Sequence, residues 1–316
     1  MLKTLICDLF DIRHPIIQGG MAHIGTAELV SAVSDSGGLG IIGSGFYEPE
    51  WIKTQIQLTR QRTDRPFGVN VQLASPFAAQ VMEMLMEEKV SIVTTGAGSP
   101  ENEIPVFKKA GIKVIPVVNS VELAKRLEEA GADAVIAEGM ESGGHVGETA
   151  TMALIPQVVD SIRIPVIAAG GIGDGRGLAA ALALGAQGIQ MGTRFVCSKE
   201  CIAHRNYKQK ILEANDQSTV VTRQVLGMPQ RSLKNNLTDR FQILEKAGTS
   251  VEELKLFDRN RMYLGLIEGD TEDGSLLAGQ IAGLVDDIKP VKEIIEETVA
   301  EAERIIANFK KYREEN

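Results

Sequence analysis

The sequence predicts an α/β protein: a (β/α)₈ TIM barrel with a smaller, mainly helical lid domain inserted late in the chain. Three observations lead there. Between residues 15 and 195 one phrase recurs eight times, a short apolar β-branched run, a break rich in glycine or polar residues, and a segment with helical apolar spacing. The runs keep no polar face, as parallel strands buried on both sides require. The units repeat at roughly 21 to 31 residues, which suits a closed ring of right-handed βα units better than an open doubly wound sheet. A Rossmann-like sheet is the runner-up, but no Gly-x-Gly-x-x-Gly with an acidic residue about twenty positions on supports it.

In order, the predicted strand cores are residues 15–18, 39–42, 67–70, 91–94, 113–116, 134–137, 165–168 and 188–191. The connecting segments read as helices. In residues 26–36, Thr26 stands where an N-cap belongs, Leu29, Val30 and Val33 share a face, and Gly37 can end the last turn in the left-handed conformation. Residues 123–130 and 178–184 repeat the pattern. After Phe195 the rhythm breaks. Residues 196–275 give mixed polar helices and the turn-rich stretch Leu226-Gly227-Met228-Pro229, and are read as an inserted lid or substrate domain, with residues 1–195 and 276–316 forming the barrel. The chain closes on a long amphipathic helix with the apolar stripe Ile294, Ile295, Val299, Ala302, Ile305, Ile306 and Phe309, read as a packing surface.

A chain of 316 residues, 44% of them hydrophobic, can bury enough apolar surface to fold alone. It has no run of eighteen apolar residues, and Asp8 and Asp11 come too early for an export signal, so a soluble cytoplasmic protein is expected. A formal charge of −9 argues against general binding to nucleic acid or anionic membranes. Cys7, Cys197 and Cys201 form no metal-ligand pattern and are expected as reduced thiols, with no metal site.

In such a barrel the C-terminal strand ends form the active face, and phosphate groups bind at backbone amides after strands seven and eight. Ala169-Gly170-Gly171-Ile172-Gly173-Asp174-Gly175 follows strand seven, and Gln190-Met191-Gly192-Thr193 ends strand eight. Glycine lets the backbone approach an anion, and Thr193 can add a hydroxyl donor; the alternative is that these glycines only serve tight turns. The other strand ends are rich in glycine and polar groups too: Gln18-Gly19-Gly20-Met21, Gly43-Ser44-Gly45, Asn70, residues 94–98 and residues 138–145. A flavin needs backbone close to its ring, hydrogen-bond partners along its pyrimidine edge and a phosphate seat. Loops one, three and six can supply the first two, and loops seven and eight the third. His145 is the histidine at a strand end inside a glycine loop, where it can face substrate and titrate near neutrality, so it is the candidate acid–base group. His14, His23 and His204 are given structural roles. Glu138 and Glu141 either orient a ligand or are wetted carboxylates.

As a set, Pro15-Ile16-Ile17-Gln18-Gly19-Gly20-Met21, Phe67-Gly68-Val69-Asn70, Thr94-Thr95-Gly96-Ala97-Gly98, Ile136-Ala137-Glu138-Gly139 with Gly143-Gly144-His145, and residues 188–195 resemble the flavin-dependent enoyl-acyl carrier protein reductases of bacterial fatty-acid synthesis. The match runs on to Gly279-Gln280-Ile281-Ala282-Gly283-Leu284. The resemblance implies FMN in a (β/α)₈ barrel, taking hydride from NADH or NADPH and passing it to the β-carbon of a trans-2-enoyl thioester. By position it implies flavin contacts at Gly20, Met21, Asn70, Glu138, Ser142, Gly143 and Gly144, and a phosphate seat at Gly170, Gly171, Gln190, Gly192 and Thr193. His145 matches the catalytic histidine, and a homodimer is expected. The nitronate monooxygenases (2-nitropropane dioxygenases) are the alternative; they share fold, FMN and a histidine after strand six but oxidise nitronates with oxygen. The Thr-Thr-Gly-Ala-Gly stretch and Glu138 in place of a glutamine resemble the reductases. A non-redox barrel that binds a phosphorylated metabolite is a third reading.

The resemblance also implies an enoyl thioester carried on an acyl carrier protein, which is acidic. From residue 203 to 246, Arg205, Lys208, Lys210, Arg223, Arg231, Lys234, Arg240 and Lys246 stand against Glu213, Asp216, Asp239 and Glu245, eight against four, or +4 in an acidic chain. This island, in which Arg231 and Lys234 are the residues whose charge reversal tests the idea, could steer such a partner; an ordinary solvated surface is the equal alternative.

Overall fold

The computed structural model describes residues 2–309. Its strands are β1 (Ile16–Gln18), β2 (Gly40–Gly43), β3 (Phe67–Gln72), β4 (Ile92–Gly96), β5 (Lys113–Val118), β6 (Val135–Glu138), β7 (Gly144–His145), β8 (Val166–Ala169), β9 (Gly188–Met191), β10 (Thr219–Thr222) and β11 (Gln230–Leu233). Eight of them form one parallel sheet in the order β1-β9-β8-β6-β5-β4-β3-β2, with helices between. A bridge from Ile17 to Leu39 brings β1 back to β2 and closes the ring. Buried Gln18 reinforces that seam: its amide donates to the Ile41 carbonyl (3.2 Å) and accepts from the Ile41 N–H (3.1 Å). The side-chain amide thus stands in for a peptide, satisfying backbone groups that a short ladder would leave bare. Every predicted strand core falls on a barrel strand, with ends shifted by two residues at most.

Residues alternate across these strands as period two demands. Ile17, Leu39, Ile41, Ile92, Ile115, Ile136 and Ile167 fill the barrel interior. Ile16, Ile42, Val69, Val93, Val135, Val166 and Ile189 turn outward and pack under the helices. A short helix that the sequence reading passed over, Leu5–Phe10, adds Ile6 and Phe10 to the interior cluster and stops one end of the barrel.

The helix Ala27–Asp35 lies where expected, with Gly37 at φ +88° ending it. Thr26 occupies its N-cap position, but the hydroxyl donates to the Glu28 carboxylate (2.7 Å) instead of accepting a backbone N–H. The C-terminal helix Val291–Asn308 buries Ile294, Ile295, Val299 and Ala302 against the helices Gly175–Ala183 and Ala27–Asp35. Phe309, placed on the same stripe by its spacing, lies past the helix end and is exposed.

Residues 196–275 hold the helices Arg205–Leu212, Asn236–Lys246, Val251–Asp258 and Arg261–Leu266 together with an antiparallel pair, β10 and β11, that the sequence reading did not include. β11 pairs in turn with β7, setting Gln230 opposite His145 and Arg231 opposite Gly144. A sheet therefore ties this segment to the loop after β6. No helix among the described residues is long and apolar enough to cross a membrane.

Candidate active site

The C-terminal ends of the barrel strands, with parts of residues 207–281, enclose a cavity of about 950 Å³. It is at the upper end of the size range for small-molecule and cofactor sites. Every residue assigned above to flavin, phosphate or catalysis lines it, from Gly20 and Met21 after β1 to Gly192 and Thr193 after β9.

The glycines around it are there for different reasons. At Gly20 a Cβ would collide with the Cβ of Asn70, whose amide donates to Thr94 Oγ1 at 3.1 Å, so the loop after β1 is fitted closely against strands β3 and β4. Gly170 and Gly171 take φ values of +89° and +69°, which the turn after β8 requires and an L side chain resists. Gly192 is different. Its φ of −113° is ordinary, and an added Cβ would meet only Met21 Sδ, at 3.9 Å. The fold leaves that space open, and the backbone there borders the cavity directly. Thr193 Oγ1 accepts from Gly279 N–H at 2.9 Å, which leaves its own hydrogen to donate. This donor set and this open cradle fit the phosphate of a flavin mononucleotide.

The two carboxylates of loop six part company. Glu141 accepts from Thr151 N–H (2.9 Å) and Thr151 Oγ1 (2.8 Å), holding the first turn of the helix Thr151–Val159, so its carboxylate is engaged by the fold while it keeps some exposed surface at the cavity wall. Glu138 keeps some exposed surface, yet that surface faces the cavity; burial pushes its carboxyl up to about 7, partly opposed by a hydrogen bond from Ser142. Loss of hydration, more costly to the anion, is the cause.

His145 lines the cavity with Nε2 3.1 Å from Gln230 Nε2. Burial, and then the nearby Arg223 guanidinium, lower its pKa below that of a free imidazole. The neutral ring is therefore favoured over the charged one beyond what its loop setting alone implies. Arg223 is itself fully buried: it forms a fork with Asp258 (Nε to Oδ2, 2.8 Å), donates to Thr222 Oγ1 (2.9 Å) and lies over the Phe241 ring. Sequence reasoning missed Arg223, Asp258 and Gln230 as cavity residues. The β-branched run Thr219-Val220-Val221-Thr222 before a turn was the available signal for a hairpin, and hence for Gln230.

Among the remaining histidines, His14 is buried away from the cavity and His204 caps the helix Arg205–Leu212 by accepting from Asn206 N–H. His23, however, borders the cavity at φ +67°, with Nδ1 2.6 Å from Tyr47 Oη. The cysteines are free and buried, and burial pushes the thiols of Cys197 and Cys201 up to about 12 and about 11. Those two thiols are inert at neutral pH.

The basic island does not survive as a surface. Lys208, Arg223 and Arg231 are buried, which leaves five basic residues against the four acidic ones, a net +1. Arg231 turns inward, donating to the Met140 carbonyl through Nη2 (2.9 Å) and Nε (3.1 Å) and to Thr219 Oγ1 (3.1 Å). Arg240 and Lys210 are paired with Asp273 and Glu272. Summed charge along the sequence had counted cations that the fold spends on internal carbonyls and an internal ion pair.

Comparison with known proteins places this architecture. FabK from Thermotoga maritima superposes with a TM-score of 0.97 at 49% sequence identity, covering 99% of this chain and 100% of that one. Nitroalkane oxidase from Streptomyces ansochromogenes gives a TM-score of 0.85 at 28% identity, covering 96% and 99%. The (3aS,4S,5R,7aS)-5-hydroxy-7a-methyl-1-oxo-octahydro-1H-indene-4-carboxyl-CoA dehydrogenase of Rhodococcus jostii is 35% identical over 338 residues, 95% of this chain and 96% of its own. The nitronate monooxygenase family model matches residues 3–88 and 72–301. With most of its length matched, the chain belongs to the nitronate monooxygenase family.

Proposed function

We propose that the protein is an FMN-dependent enoyl-acyl carrier protein reductase that uses NADH or NADPH. One observation carries the reading: the residues resembling the reductase set converge on one cavity with His145 in its wall, in a chain 49% identical across 99% of its length to FabK, an enoyl-acyl carrier protein reductase. The Rhodococcus relative is named for an acyl-CoA, again a thioester. The nitroalkane oxidase neighbour and the family's name favour the second reading, oxidation of a nitronate with oxygen.

FMN, when bound, supplies hydride transfer between the nicotinamide and the acyl substrate. Gly170, Gly171, Gln190, Gly192 and Thr193 would hold its phosphate; Gly20, Met21, Asn70, Glu138, Ser142, Gly143 and Gly144 would line its ring. Residues 196–275 would act as the lid. Hydride arriving at the β-carbon leaves negative charge on the α-carbon and the thioester oxygen. His145 answers that charge: the neutral ring donates an N–H hydrogen bond to the oxygen, and a ring that has taken a proton from solvent passes it to the α-carbon and returns to the neutral form. Glu138, largely protonated below pH 7, keeps a second negative charge away from the developing one.

The reading is tested by releasing and identifying the bound flavin, then following NADH and NADPH oxidation with crotonyl thioesters of acyl carrier protein and of coenzyme A without oxygen. Nicotinamide consumed in step with butyryl product is expected. A purified protein that neither carries nor takes up flavin would refute it.

A further inference from the structure

A strand as short as β7 does little to fix a side chain, yet His145 is held on several sides. Gln230 faces it in the β7–β11 ladder, and the next residue, Val146, donates its N–H to the Pro229 carbonyl at 3.0 Å. The side chains repeat the backbone pairing, because Gln230 Nε2 reaches His145 Nε2 at 3.1 Å across 85 residues of sequence. Gln230 is nearly buried, so this amide has little water to turn to. An amide nitrogen only donates; the ring nitrogen it faces must carry the lone pair, and the neutral ring then holds its hydrogen on Nδ1.

The charged neighbours leave that choice to the amide. Arg223 is the charged group that acts on the ring, and it is tied down by Asp258, Thr222 and Ser275. Arg231, beside Gln230 on β11, is committed to Met140 and Thr219. Glu138 lines the same cavity but is not among the charges that shift the ring. Among the described residues no carboxylate bonds to the imidazole, and the side chain that reaches a ring nitrogen is the Gln230 amide.

We propose that Gln230 is a positioning residue whose amide N–H holds His145 as the Nδ1–H tautomer, presenting Nδ1 as the atom that donates to the reacting acyl group. The inference rests on the reading of His145 as the donor. It also says why residues 219–233 and the loop after β6 must be assembled into one sheet before the donor is complete.

With four histidines in the chain, ¹⁵N-histidine spectra of the FMN-loaded enzyme can report each ring separately. The wild-type enzyme should show His145 as Nδ1–H; finding Nε2–H overturns the proposal even if no variant folds. In Gln230→Leu the tautomers should average and enoyl reduction should slow roughly tenfold, the scale of one neutral hydrogen bond. In Gln230→Glu a carboxylate would accept from Nε2–H, moving the hydrogen to Nε2 and raising the ring pKa by about 1–2 units, with the pH profile of turnover moving up by the same amount. Flavin reduction by nicotinamide should be unchanged in both. Unaltered tautomer and turnover in a folded Gln230→Leu enzyme would overturn the proposal alone, whereas normal turnover in His145→Ala would remove the reading beneath it.

Discussion

Replacing Gly192 by alanine should leave the fold intact and weaken flavin binding. Its φ of −113° is one that an L residue adopts, and the new Cβ would approach nothing closer than Met21 Sδ at 3.9 Å. The flavin-free protein should keep its stability, or gain roughly 0.4–1 kcal/mol because the unfolded chain loses freedom. The methyl group instead enters the cavity beside the backbone proposed to face the phosphate. Losing one hydrogen bond to a charged group costs roughly 1.5–3 kcal/mol, so the FMN Kd should rise by about 10- to 150-fold. Gly171→Ala is the contrast: at φ +69°, with its Cβ 3.2 Å from that of Glu141, the substitution strains the fold itself. That strain should lower the stability of the flavin-free protein by about 1–2 kcal/mol. Fluorescence titration of FMN into flavin-free protein, with thermal melting of the same samples, separates the two. A Gly192→Ala protein with wild-type FMN affinity would show that the phosphate lies elsewhere, and one destabilised like Gly171→Ala would show that the glycine serves only the turn.

His145→Ala should retain FMN and slow enoyl reduction by roughly a hundredfold or more, the scale of a lost acid or oxyanion donor, while stopped-flow reduction of the flavin by nicotinamide stays near wild type; equal loss in both half-reactions would contradict the assignment. Glu138 holds a proton in the folded state that the unfolded chain releases above pH 4.5, so its contribution to stability is present below pH 4.5 and is lost as pH rises through about 7. At 1.36 kcal/mol per unit the loss is at most roughly 3 kcal/mol, less where water fills the cavity, and Glu138→Gln should flatten that part of the stability profile; an unchanged slope in urea melts at pH 5 and 8 would show that the carboxyl titrates normally. Arg231→Glu should destabilise the protein and impair turnover of carrier-protein and small soluble thioesters alike, because the guanidinium braces Met140 and Thr219. A rise in KM confined to the carrier-protein substrate would restore Arg231 as a docking residue.

The barrel was legible because its strands announce themselves locally. Runs such as Ile136 and its neighbours are apolar on both faces, and each is punctuated by a glycine loop, so strand positions and the glycines that line the cavity after β8 and β9 follow from short stretches read alone. What escaped depends on distant partners. The two residues of β7 become a strand only because β11 supplies the ladder, and Gln230 becomes a site residue only because that ladder sets it opposite His145. Arg231 and Lys208 read as surface cations since burial of a charge is uncommon, and the carbonyls that receive them, at Met140 and at Ser198 and Cys201, are not marked by any side chain. Glu141 and Glu138, three residues apart, were indistinguishable as carboxylates until Thr151 claimed one and the cavity enclosed the other. Helix Leu5–Phe10 was overlooked because a single buried turn or two carries too few residues to show a period.

The central claim is that this member of the nitronate monooxygenase family reduces enoyl thioesters. One preparation of FMN-loaded protein, assayed without oxygen against crotonyl thioester and reduced nicotinamide and with oxygen against a preformed nitronate, compares the two chemistries directly through kcat/KM. The account predicts thioester reduction that needs His145 and little or no nitronate oxidation. Efficient nitronate oxidation with no reduction of the thioester would contradict it.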